Sequence, residues 1–391
     1  MKENNLKMCM ITGPLPDSIV AADLVHVSSL IRLLEPLVEK IFVISRNFPE
    51  SIFFNNNKIK IINIRHQSNS IRMFIIIPTF IIMQLKISYQ LFKIRKEIDI
   101  VFFSIGAIGL FLPMLSAKFM RKKILLIHPG VDVVKVFTEI AYSDKLLGFG
   151  GKIYPRIINI LEILNYYLSD KIIVYSQNIN KYTTNRRINK KLVYGSRFLV
   201  DINSFKIEKK VSERMALIGY IGKFYDLKGI LNFIDAVPII MNGLNNVKFL
   251  VCGDGPLRSE IEMKINDFKM DKVVTITNWI PHEKLPQYLN EIKLLVIPSY
   301  TEVGPQLLFE AMACGTPVLA ASVGVVPDII IDGKTGFKMD NNSPECIAKN
   351  VIRALNCADL NKIMENAREL IEKEHTFDAA EQRYKKILET V

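Results

Sequence analysis

KLLVIPSYTEVGPQLLFEAMACGTPVLAA, residues 293–321, carries an apolar run, a loop, a helical segment, a Gly-containing turn and a second apolar run. The helix is expected from Gln306 to Met312, with Pro305 at its first position, where the N–H that proline lacks would have no intrahelical partner. The backbone N–H groups of Gln306 and Leu307 then project from the helix start, beside Gly304, where the helix dipole favours an anion such as a phosphate. Glu302 precedes the helix and Glu310 lies more than one turn into it, so the two carboxylates would reach opposite ends of an elongated anionic ligand. The plainer alternative is an acidic residue at a helix start and a partly buried helix glutamate, a pattern many helices share.

Working outward, the same alternation fills the chain. KMCMI (7–11), IFVIS (41–45), IKIINI (59–64), DIVFFS (99–104), KILLIH (123–128) and KIIVYS (171–176) are separated by helical stretches in the first half. MALIGYIG (215–222), VKFLVCG (247–253), KVVTIT (272–277), KLLVIP (293–298) and PVLAA (317–321) repeat the pattern in the second. Short apolar runs of this kind belong to parallel strands covered on both faces. With 391 residues and 49% hydrophobic content, the expectation is an α/β protein of two Rossmann-like domains, residues 1–200 and 201–375. The junction is placed in the polar stretch 197–214. No short sequence period accompanies this repeat of architecture. The end of the chain, about 376–391, reads as a helix with Phe377, Ala380, Tyr384, Ile387 and Leu388 on one apolar stripe.

Four segments in register, GYIGKFYDLKGI (219–230), FLVCGDGPL (249–257), NWIPHEKLPQYL (278–289) and VIPSYTEVGPQLLFEAMACGTPVLA (296–320), resemble the retaining glycosyltransferases of family 4, in glycosyltransferase group 1. The resemblance covers the C-terminal half and, more loosely, the N-terminal half. It implies the GT-B fold: two Rossmann-like domains with parallel sheets facing a central cleft, an acceptor domain followed by a donor domain, and a C-terminal helix that crosses back to the first. It also implies a substrate, a nucleoside-diphosphate sugar, and a hexosyltransferase-type activity. Lys223 and Lys228 would neutralise the donor diphosphate, Glu310 would hold the ribose hydroxyls, and Glu302 would sit by the donor sugar. Gly253, in the Gly253-Asp254-Gly255 turn, would let the ligand approach the backbone, and Asn278, Trp279 and Ile280 would form the base-binding loop. Read without the family, the two lysines are surface residues of a loop, the glycines an ordinary turn, and Trp279 a candidate core residue. In the first domain, Gly13 of Thr12-Gly13-Pro14 stands where relatives carry a glycine pair. His128 occupies the position of a histidine near the donor sugar; a strand-end histidine is otherwise structural more often than not. Lys228, Glu302 and His128 are the expected catalytic residues.

The chain departs from the family at Val303, where glycine usually follows the first glutamate; a β-branched residue resists positive φ. No Asp-x-Asp triplet occurs, so helix N–H groups and Lys223 and Lys228 are expected to replace a metal ion, with no metal and no cofactor. The mechanism implied is retention, with the leaving phosphate taking the acceptor proton. A nucleotide-sugar epimerase of the same fold and a catalytically silent nucleotide-binding scaffold are the alternatives. No GxGxxG follows the opening strand of either domain, which counts against a dinucleotide oxidoreductase.

Charge is uneven. Residues 1–200 hold 28 Lys and Arg against 13 Asp and Glu, a net +15, whereas 201–391 hold 23 against 26, a net −3, within an overall +12. The basic clusters are RKK (121–123), KIRK (93–96) and the stretch from Lys181 to Arg197. Aromatic residues are not interleaved with them, which argues against nucleic acid, and a solvated basic face is the default. The most apolar stretch, IRMFIIIPTFIIMQLK (71–86), is short and interrupted by Pro78, so a transmembrane helix is not expected; an interfacial helix and a buried sheet-covering helix both fit. The expected partners are a glycan or lipid-linked acceptor and an anionic membrane surface met by the basic first domain. Cys9, Cys252, Cys314, Cys346 and Cys357 form no CxxC pair, and no leader-like apolar run follows Lys2 and Lys7. Both fit a protein in the reducing cytoplasm, peripheral at the inner membrane face.

Overall fold

The computed structural model describes residues 5–12, 21–46, 48–53, 55–64, 73–104, 107–128, 150–175, 185–195, 198–302 and 304–391. The chain separates into two compact units, one of Met1–Arg197 with Glu381–Val391, the other of Phe198–Ala380. Among the described residues the first holds a seven-stranded sheet: β1 Lys7–Ile11, β2 Lys40–Ser45, β3 Ile59–Asn63, β4 Ile100–Phe103, β5 Lys123–Ile127, β6 Lys171–Val174 and β7 Leu192–Tyr194. The second holds six strands: β8 Leu217–Ile221, β9 Lys248–Cys252, β10 Val274–Thr277, β11 Leu294–Ile297, β12 Val318–Ala321 and β13 Phe337–Met339. Every pairing is parallel. The apolar strands are the reason: β4, β11 and β12 are buried along their whole length, which requires cover on both faces.

The orders are β3-β2-β1-β4-β5-β6-β7 and β10-β9-β8-β11-β12-β13. Each sheet grows one way from its first strand and then reverses, so each has a switch point, between β1 and β4 and between β8 and β11. Loops diverge there beyond the carboxyl ends of the strands and open a crevice. Both units are thus Rossmann-like. β7 and β13 were not expected from sequence; each has three residues and closes the outer edge of its sheet.

Helix Gln306–Ala313 runs one residue beyond the expected Met312, and Pro305 takes the capping position, not the first helical one, with extended ψ of 114°. Phe309 from this helix stacks on Phe198 at 4.9 Å and lies 4.6 Å from His375, so the segments that enter and leave the second unit share its core. Arg214, buried, ties the far end of the helix down by donating to the carbonyls of Cys314, Leu289 and Ile292 and to Thr316 Oγ1. Burial lowers its pKa to about 10. The final helix, Phe377–Glu389, buries Ala380, Tyr384, Ile387 and Leu388, but Phe377 is 38% exposed and does not complete the expected stripe. From Glu381 onward it belongs to the first unit, where Arg383 lies over the Tyr194 ring. None of the five cysteines is in a disulfide.

Residues 73–86 of the stretch 71–86 fall within a longer helix, Met73–Lys93, that carries Pro78 inside it. Residues 71 and 72 lie outside the described residues. Met83, Ile87 and Leu91 are buried while Ile81, Ile82 and Leu85 are exposed, so this helix both covers the sheet and shows an apolar outer face. Among the described residues no helix is long and apolar enough to cross a membrane.

Candidate functional site

The loops after β8, β9, β10 and β11 carry most of the expected site residues, at the carboxyl end of the second sheet. The β8 and β9 loops are stitched together: Gly222 N–H donates to Cys252 O, Phe224 N–H to Asp254 O, and Leu257 N–H to Phe224 O. Gly253 permits this approach. Its φ is +150°, and a Cβ there would fall 1.8 Å from the carbonyl oxygen of Gly222. Lys223, on this loop, is exposed and has no carboxylate partner among the described residues.

After it, Asp226–Lys228 forms one tight turn, and Gly229 opens helix Ile230–Gly243 with φ +66°. A Cβ on Gly229 would meet Pro298 O at 2.1 Å, so the β8 and β11 loops touch through this residue. Tyr300 N–H also donates to Leu227 O. The contact delivers Lys228 to Glu302: Nζ is 2.5 Å from Oε1, and Ser299 Oγ donates to the same oxygen at 2.8 Å. Glu302 is 11% exposed and Lys228 34% exposed at the side chain, so the pair is sheltered but reachable. Tyr220, beneath them, has its pKa raised by burial and then by the charge on Glu302. The pairing spans the β8/β11 switch point. Val303 lies outside the described residues. Gly304 packs so closely on the Phe198 ring that a Cβ would come within 2.3 Å of it.

Glu310 is buried, 3% exposed, on the helix that follows. Its Oε1 is 2.8 Å from His282 Nε2. His282 comes from the loop after β10, which also carries Asn278, Trp279 and Ile280. Asn278 is exposed, Trp279 is 59% exposed rather than in the core, and the Ile280 side chain turns into the core. The hydrogen bond to Glu310 raises the His282 pKa above its ordinary 6.5, against an opposing effect of partial burial. Gln306 at the helix start donates from Nε2 to Leu199 O, and Leu307 packs partly against the core. The structure therefore brings Lys228 and Glu302 together directly, sets Glu310 against His282, and leaves Lys223 and Trp279 exposed after β8 and β10, two strands that flank β9.

His282, Ser299 and Tyr220 were not singled out from sequence. Ser299 precedes Glu302 by three residues, and His282 sits in the recognised PHEKLP segment, yet nothing linear says that 28 residues later a carboxylate waits for it. In the first unit, His128 follows β5, its N–H donates to Ile173 O, and its ring stacks on Tyr166 at 5.5 Å. Tyr166 Oη in turn donates to Glu162. Burial pushes the His128 pKa down to about 4, so the imidazole is neutral at pH 7. Gly13 lies outside the described residues. Among the described residues no group of three His, Cys, Asp or Glu side chains could hold a metal ion.

Residues 201–370 match the family model of the glycosyl transferases group 1. The chain is 24% identical over 313 residues to an uncharacterised glycosyltransferase of Methanocaldococcus jannaschii, covering 77% of each. It is 31% identical over 166 residues to the alpha-D-kanosaminyltransferase of Streptomyces kanamyceticus, 42% of this chain and 43% of that enzyme. Anabaena HepE, solved in complex with UDP, superposes with a TM-score of 0.72 at 14% identity, covering 99% of this chain and 100% of that one. Over residues 201–370 the chain is similar to the group 1 glycosyltransferases, and it has the GT-B fold. The relatives named for an activity are sugar-transferring enzymes.

Proposed function

We propose that the chain is a retaining, metal-independent hexosyltransferase of family 4. It moves a sugar from a nucleoside-diphosphate sugar to a glycan or lipid-linked acceptor, a cell-surface glycan precursor, at the cytosolic face of the membrane. The observation that carries the reading is the Lys228–Glu302 pair across the β8/β11 switch point, flanked by unpaired Lys223 and the start of helix Gln306–Ala313. A leaving nucleoside diphosphate gains negative charge as the glycosidic bond breaks, and the two ammonium groups with the helix N–H groups of Gln306 and Leu307 stabilise it. Glu310 Oε1 is occupied by His282, which leaves its second oxygen to accept from the ribose hydroxyls. The exposed Trp279 indole, with Asn278, offers a stacking surface for the base, and Gly253 lets the ligand approach the backbone.

Glu302 takes the donor sugar hydroxyls while Lys228 holds it in place. In the transfer, the bond from the anomeric carbon to the phosphate oxygen breaks as the bond to the acceptor oxygen forms on the same face. The leaving phosphate oxygen accepts the acceptor's proton. The enzyme contributes orientation and fixed charge rather than a nucleophile. His128, neutral, and Gly13 are the first unit's proposed contributions to the donor-sugar site. The UDP complex of Anabaena HepE and the sugar-transferring relatives support a nucleotide-sugar donor.

The test is a panel of UDP-, GDP- and ADP-sugars in chelator, with and without a polyprenyl or glycerolipid extract, following nucleoside diphosphate release and radiolabel in the lipid phase. Label in lipid with an unchanged anomeric configuration is expected. Conversion of the donor sugar without any acceptor would make the chain an epimerase, and no release with any donor would make it a silent binder.

A further inference from the structure

The first unit presents an outer layer of helices whose exposed faces are apolar and basic, and the structure assigns this layer as the surface that docks on an anionic lipid bilayer. Helices Met73–Lys93, Phe111–Phe119 and Gly150–Leu168 lie side by side, the middle one touching both others. Their inner residues, among them Met83, Ile87, Met114 and Tyr166, enter one core cluster with β1, β4 and β5. Their outer residues repeat a single pattern. On the first helix Ile82, Leu85, Tyr89 and Phe92 stand at spacings of three, four and three; on the third, Ile157, Ile160, Leu164 and Tyr167 stand at the same spacings. All eight are 40–58% exposed, and Phe119 at the end of the middle helix is 80% exposed. Two apolar stripes of this kind, on helices joined through the middle one, exceed the scattered exposed hydrophobes of an ordinary surface.

Charge selects the occupant. Among the described side chains of these three helices the sole acidic residue is Glu162, which is buried and accepts from Tyr166, whereas Lys86, Lys93, Lys118 and Arg156 are exposed. Lys93 and Arg95 lie over the Tyr89 and Phe92 rings, at 4.6 and 3.9 Å from their centroids, so the cations rim the stripe itself. A second copy meeting this face by two-fold symmetry would set like charges against each other. Anionic headgroups above a hydrocarbon boundary complement both features. The inference deepens the membrane-face reading above, and it does not depend on which sugar moves.

The full chain is sedimented with vesicles of phosphatidylcholine containing about one-third phosphatidylglycerol, and with phosphatidylcholine alone, at low and high salt. Binding to the anionic vesicles, weakened by salt, is expected. Ile160→Glu with Leu164→Glu, and separately Tyr89→Ser with Phe92→Ser, are expected to abolish it. Lys93→Gln and Arg156→Gln should each weaken it roughly fivefold, while Met263→Glu with Phe268→Glu, exposed residues of the second unit, should leave it intact. Nucleoside diphosphate release from soluble donor, measured on the same samples, should be unchanged in every variant, which separates this inference from the sugar-transfer reading. Absence of the wild type from anionic vesicles, equal binding by the stripe variants, or a dimer of the wild type that those variants dissociate would overturn the assignment.

Discussion

The two sheets share a strand order and a switch point, yet their carboxyl ends hold histidines whose pKa values are shifted in opposite directions. In the second unit His282 is drawn toward its charged form by Glu310, beside Lys228 paired with Glu302. In the first, His128 is stacked under Tyr166 and kept neutral by burial. Topology decides where a site can form, because parallel strands release their loops at the same end. What the site can bind is set by which side chains those loops carry and how far each is removed from water.

The sharpest way to break this comparison is Lys228→Ala. If the second unit's edge carries the transition-state charge, turnover with the preferred donor should fall by about 10²–10³-fold at an unchanged thermal midpoint; retained turnover would remove the Lys228–Glu302 pair from the chemistry. Next in size is Gly229→Ala. The left-handed backbone and the approach to Pro298 O should make it unfold about 3 kcal/mol more easily in denaturant, with donor binding lost in step because Lys228 is delivered by that contact.

The two histidines give smaller effects of opposite sign. The His128 pKa is lowered on folding, so its neutral burial contributes stability that is full above the ordinary value of 6.5 and lost as pH falls toward about 4. Urea titrations at pH 7 and pH 5 should show a wild-type loss of up to about 2 kcal/mol that His128→Gln reduces; equal losses would contradict the burial argument. The His282 pKa is raised, so its contribution is full below 6.5 and is lost as pH rises through the elevated value. Donor KM should therefore climb as pH rises above 6.5 in the wild type and stay level in His282→Gln. A profile unaffected by the substitution would mean that His282 does not hold Glu310 for the ribose.

Much of the fold could be read along the chain. All eleven apolar runs are strands, because a strand buried on both faces must be apolar throughout and so leaves an unbroken run in the sequence. β7 and β13 escaped because three-residue edge strands, partly exposed, give no run long enough to stand out. Helix Met73–Lys93 was harder for a different reason: apolar residues on both its inner and outer faces look the same in sequence whether the outer face meets protein, lipid or water. At the site, Glu302, Glu310, Lys223 and Lys228 were recognised from their motifs, but their partners were not. Lys228 and Glu302 are 74 residues apart, and Glu310 and His282 are 28 apart, so neither pairing has a local signature. Trp279 was ambiguous between core and ligand loop until the structure exposed it.

The sequence by itself determined the alternation of strand and helix, the division of charge between the halves and the glutamate-bearing loop and helix of residues 302–313, since these depend on local periodicity and composition. Only the tertiary structure decided that the β8 and β11 loops meet at Gly229, that Lys228 closes on Glu302, and that the apolar stripes of two distant helices lie in one layer. Those outcomes depend on strand order in a parallel sheet, where neighbours in space are separated by whole crossover connections in the chain.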